Sequence, residues 1–233
     1  MRLLIKNVFY KFILIWIGSF VLLSYMIEQP FLENGDWLRL LFGGVKMGTA
    51  SIIMVYMCSM ALLQYLHLDT TLLCTKEEGV LLSRLKSRKK LFWHSVRSIC
   101  ILNVLFCICV ATAGIVAMAL AEKTGWNENL ILFSEMMEII VRGFLFCVLF
   151  AVVQAIILTY VDEAKAFLIM TGICAVLVIC SKIKLAFLIL PAPFKLEGAL
   201  TNVAVSVCIM YIIIAMVIFR KRLLSRDIGI DRR

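Results

Sequence analysis

The sequence predicts an all-α, polytopic integral membrane fold of about six transmembrane helices, with both termini in the cytoplasm. Three observations lead there. Apolar residues come in long unbroken blocks, basic residues concentrate in alternate connections, and every proline falls between blocks. Of the 233 residues, 63% are hydrophobic and only 17% charged, with a mean hydropathy of +1.02. A soluble domain is roughly half apolar and about a quarter charged. A helix needs about 20 apolar residues to cross ~30 Å of hydrocarbon, and blocks of that order lie at about 12–27, 46–66, 97–121, 138–160, 165–182 and 200–220.

The charges orient these spans. Arg2, Lys6 and Lys11 precede the first; Lys76, Arg84, Lys86, Arg88, Lys89, Lys90 and Arg97 lie between the second and third; Arg220, Lys221, Arg222, Arg226, Arg232 and Arg233 follow the last. The first loop has Arg39 alone and the third Lys123 alone, while the fifth, with Lys182, Lys184 and Lys195, weakens the alternation without reversing it. Lys and Arg mark cytoplasmic faces, so both ends lie inside after an even number of crossings. The net charge of +9 is thus spent on orientation, and no basic face interleaved with exposed aromatics points to nucleic acid.

Taken in order, the first block resembles the core of a signal peptide. No small-x-small cleavage site follows it and Glu28-Gln29-Pro30 come next, so it reads as an uncleaved helix. Gly44 and Gly48 open the second span as a GxxxG, and Ala113, Ala117 and Ala121 repeat at four-residue spacing in the third. Such small faces let helices approach closely in lipid. Within the cytoplasmic loop 67–96, Thr75 and Glu78 have the spacing of a capping box. Val80, Leu81, Leu82 and Leu85 then share one side of a short helix, with Arg84, Lys86 and Arg88 over the rest. That helix either lies in the lipid headgroups or docks a cytoplasmic partner.

Glu138 and Arg142 stand four apart near the outer boundary of span four, a spacing that pairs them on one helix face. They read as an interfacial anchor or as part of a polar path inside the membrane. Asp162, Glu163 and Lys165 make a short inner turn, and Pro191 and Pro193 break an apolar segment within 183–199. This segment is too short to cross and is either re-entrant or laid on the outer interface. His67 and His94 sit at the inner ends of spans, where amphipathic rings are at home, without companions for a metal site. The nine cysteines show no CxxC spacing and read as free thiols.

The layout as a whole resembles the permease subunit of type 2 ATP-binding-cassette transporters. The resemblance lies in the basic start, the stretch TKEEGVLLSRLKSRKKLFWHSV between spans two and three, the Pro-broken outer segment KIKLAFLILPAPFKLEG and the basic tail FRKRLLSRDI. It implies a permease that works as a homo- or heterodimer with another permease chain. Each would engage a separate ATP-binding subunit through a coupling helix holding Glu78, Leu81, Leu82, Arg84 and Leu85. The chain has no GxxxxGK[ST] phosphate loop, so it would be no enzyme itself and would carry no cofactor, with ATP on the partner. The resemblance further implies export of an amphipathic peptide, lipid or antibiotic.

A rival resemblance comes from MEIIVRGFLF, which is similar to the first motif of CAAX-protease-like membrane enzymes. There Glu138 and Arg142 match, while Met137 replaces the first glutamate and both histidines precede the motif, implying an inactive relative. A non-catalytic membrane scaffold or immunity protein is the third class.

Overall fold

The computed structural model describes residues 2–27, 39, 41–42, 50–75, 87–120, 129–180 and 199–225. They form six α-helices: α1 (Arg2–Ile27), α2 (Ala50–Thr75), α3 (Arg88–Leu120), α4 (Asn129–Leu158), α5 (Glu163–Cys180) and α6 (Ala199–Ser225). Five of them, α2 to α6, contain stretches long and apolar enough to cross a membrane, and α1 contributes the shorter apolar stretch Tyr10–Tyr25. The architecture is that of a multi-pass membrane protein.

The helices outrun the hydropathy blocks because hydropathy marks the lipid-facing length and not where helical hydrogen bonding stops. α2 continues through Thr75, while Glu78, the other half of the expected capping box, lies outside the described residues. α3 begins at Arg88, nine residues before the expected span, with the Ser87 carbonyl accepting from the Leu91 N–H at 3.1 Å. Arg and Lys are good helix formers, so the basic turn 88–97 extends the helix beyond the apolar block. Of the loop expected at 67–96, residues 67–75 and 88–96 are thus helical, and 76–86 lie outside the described residues. Between α4 and α5, Asp162 Oδ1 accepts from the Lys165 N–H at 3.0 Å, an N-cap, and pairs with Lys165 Nζ at 3.1 Å.

Packing follows side-chain size. α1 lies chiefly along α3, and α4 along α6. Ala113 and Ala117 are buried, letting α1 close on α3 so that Trp16 Nε1 donates to Thr112 Oγ1 at 3.1 Å. The main core joins Ile15, Leu23, Tyr56, Met60, Leu63, Phe106 and Phe146. A second cluster joins Phe92, Ile99, Val152 and Phe219 between α3, α4 and α6. Gly44, Gly48, Ala121 and the Pro-broken segment 183–199, apart from Ala199, lie outside the described residues.

Contacts bring alternate helix termini to one end of the bundle. Arg88 at the start of α3 donates to the Leu224 carbonyl near the end of α6 at 3.1 Å, and the Phe92 and Phe219 rings meet at 5.8 Å. Arg222 stands 4.3 Å over the Tyr160 ring after α4, and Lys11 of α1 reaches the Tyr65 carbonyl of α2 at 3.2 Å. This end therefore gathers Lys11, Arg88, Lys89, Lys90, Arg97, Lys165, Arg220, Lys221 and Arg222. Of the basic residues whose side chains are described, the remaining two are Arg39 and Arg142.

Candidate functional site

The distribution of polarity is inverted relative to a soluble protein. Leu120, Leu168, Ile179, Met54 and Val217 are exposed, while Arg39, Ser59, Gln64, His67, Asn103, Arg142 and Gln154 are buried. An apolar exterior suits lipid, where outward polar groups would go unsatisfied. Buried polar and ionisable groups inside a membrane bundle are costly and mark functional paths by default. Here they form a seam between α2, α3 and α4.

Near one end of the seam, Arg142 Nη1 bridges to Glu138 Oε1 at 3.1 Å, with the arginine side chain 7% exposed and the glutamate 51%. The i, i+4 geometry read from the sequence is thus formed, with the cation inward and the carboxylate toward the surroundings. Arg39, which the sequence places between the first two spans, is buried within electrostatic reach of Arg142. Its segment enters the bundle. Leu41 and Phe42 are fully buried, the Leu41 carbonyl accepts from Ser59 Oγ at 2.8 Å, and the Phe42 N–H donates to the Arg39 carbonyl at 3.1 Å. Backbone polar groups at membrane depth need such internal partners. Gly143 makes the space, since a Cβ there would stand 2.7 Å from the Phe42 ring, which also meets Phe106 edge-on at 6.5 Å.

Farther along, α2 carries Tyr56, Ser59, Gln64 and His67 into the interior. Gln154 Nε2 of α4 donates to the Gln64 carbonyl at 3.2 Å. His67 Nε2 and Asn103 Oδ1 of α3 are 2.9 Å apart. His67 is completely buried, so the interfacial-ring reading fails for it: a helix-facing asparagine gives the imidazole a partner inside the bundle. His94 is exposed. Toward the basic end, Lys11 Nζ also lies 4.2 Å from the Tyr65 ring centroid.

Glu138 and Gln154 are 16 residues apart on α4, about 24 Å of helix at 1.5 Å per residue. Gln154 bonds α2 one turn from His67, so the seam spans most of ~30 Å of hydrocarbon and Glu138 and His67 occupy opposite parts of it. A glutamate–histidine water-activating site is not assembled from these two. Among the described residues there is also no group of three metal-ligating side chains. No family model matches the sequence, and no curated protein or solved structure matches it either.

Of the residues singled out from sequence, Glu138 and Arg142 are placed together. Glu78, Leu81, Leu82, Arg84 and Leu85 lie outside the described residues. Sequence reading passed over Gln64, Asn103 and Gln154, whose signal was simply a carboxamide within an otherwise apolar span.

Proposed function

We propose that this chain is the membrane-spanning permease subunit of an ATP-driven transporter of the type 2 ATP-binding-cassette class. It would sit in the cell membrane with both termini cytoplasmic and work with a second permease chain. A separate subunit hydrolyses ATP, and the cargo class is an amphipathic peptide, lipid or antibiotic moved outward. The observation that carries this reading is the basic end of the bundle. There the first turns of α3 and the last turns of α6 pack together through Phe92, Phe219 and the Arg88–Leu224 bond. The connection 76–87 leaves from Thr75 and returns at Arg88 at this same end. A connection whose returning helix is braced against α6 transmits a push from a cytoplasmic motor to the spans, whereas one that returns into a frayed end dissipates it.

The buried seam supports the same reading. Transport requires a bundle that contacts cargo differently in two states, because a ligand shifts an equilibrium only by its differential affinity. Polar contacts spread along three helices can exchange as the helices slide. The separation of Glu138 from His67 favours this reading over a hydrolytic one.

The test is Leu82→Glu together with Leu85→Glu, which places two charges on the apolar side of the proposed coupling helix. Membrane insertion is expected to persist while association with the ATP-binding subunit falls at least about tenfold, the loss of one hot-spot contact or more. Undiminished association in the inserted double variant would remove the coupling-helix assignment.

A further inference from the structure

Three carboxamides on three helices lie in one part of the seam, within about a turn of each other along α2, and each keeps a polar atom without a hydrogen bond in the chain. These atoms are Gln64 Oε1 on α2, Asn103 Nδ2 on α3 and Gln154 Oε1 on α4. All three residues are at least 98% buried. Their neighbourhood is fixed by two bonds already described: Gln154 reaches the Gln64 carbonyl, and Asn103 holds His67, one turn further along the same face of α2. A buried carboxamide oxygen or amide left dry costs ~1–3 kcal/mol each, and three such costs within about one turn of α2 call for a ligand.

We propose that Gln64, Asn103 and Gln154 form a binding site for water between α2, α3 and α4. The donor and acceptor count fits this occupant. Two carboxamide oxygens accept from its hydrogens and one amide donates to its oxygen, matching the ~3 hydrogen bonds a buried water makes. The set contains no charge, so it selects neither an anion nor a metal cation; a molecule displacing the water must itself offer both a donor and an acceptor, as a hydroxyl or amide does. The site lies toward the basic end, beside Lys11 and the Tyr65 carbonyl it binds. The inference rests on this geometry and stands whether or not the chain is a permease.

The two histidines of the chain provide the test. Hydroxyl radicals generated by brief X-ray irradiation form from water in place, so a buried side chain beside bound water is oxidised and a dry one is spared. His94 is exposed and His67 fully buried, giving a matched pair within one molecule. In the purified native protein, His67 is expected to be oxidised at a rate within about tenfold of His94, as a group whose partner Asn103 holds bound water should be. In Gln64→Leu with Gln154→Leu, the His67 rate should fall at least fivefold while His94 is unchanged, the order expected when bound water loses two of its ~3 partners. A native His67 rate more than about tenfold below His94 would overturn the proposal, since that is a dry site. So would an unchanged His67 rate in a folded double variant. Where the double variant does not fold, the native ratio decides alone.

Discussion

Gly143 and Phe42 fix how closely the segment before α2 can approach α4. A methyl group at 143 would meet three ring atoms of Phe42 within 2.9 Å, Cγ among them, so a rotation of the ring tip cannot relieve it. Gly143→Ala is therefore expected to destabilise the bundle by ~1–3 kcal/mol, the usual cost of overpacking a filled core, and to lower its melting temperature in detergent. An unchanged melting temperature would mean that Phe42 does not sit in the bundle against Gly143. Asn103→Leu removes the partner of a fully buried imidazole and should cost ~1–3 kcal/mol for the group left unsatisfied, measurable by the same melt. Asn103→Asp, which keeps an acceptor, should restore part of it. Residue pairs within one helix were readable in advance. Glu138 and Arg142 are four apart, and four apart means adjacent on a helix. Gln64, Asn103 and Gln154 carried only the statement that something polar lay inside a span, because a partner on another helix depends on rotation and register that no local spacing encodes. The burial of Arg39 was hidden for a related reason: a lone arginine between apolar blocks looks the same whether it faces solvent or lies buried beside Arg142.

At the scale of elements, the existence and order of the helices were legible and their ends were not. Apolar blocks of about 20 residues reveal a crossing through the cost of exposing backbone to lipid. A helix carries on past the lipid wherever residues favour it, as Arg88 to Arg97 do at the start of α3 and Arg220 to Ser225 at the end of α6. The break between α4 and α5 is the better-marked boundary. The Thr159 and Tyr160 N–H groups turn back to the Ile156 and Ile157 carbonyls at 3.0 and 2.9 Å, and Asp162 then caps α5. Asp162→Ala should cost ~0.5–2 kcal/mol, as lost caps do, and speed amide exchange in the first turn of α5 while leaving α6 unaffected. Equal exchange in both proteins would show that Lys165 and its neighbours hold the turn without the cap.

For the whole molecule, two patterns agree that were read from different physics. The alternation of basic loops predicted that the start of α1, the return of α2 and the end of α6 share a side, and the contacts of Lys11, Arg88 and Arg222 bring those ends together. Burial adds the inverted polarity, with leucines and isoleucines outward and carboxamides, an imidazole and two guanidiniums inward. The fold class could be read from composition because bilayer thickness constrains the length of every span. The interior could not, since the same polar residues facing outward would have left composition unchanged. On the permease reading, what the arrangement does for the cell follows from what docks on the basic end. The most direct measurement is to purify the tagged protein from its native membrane in mild detergent, with crosslinking, and to identify by mass spectrometry what accompanies it. An ATP-binding subunit in a fixed ratio to this chain is the result the permease account predicts. Its absence even from the crosslinked material would contradict that account and leave a membrane scaffold in its place.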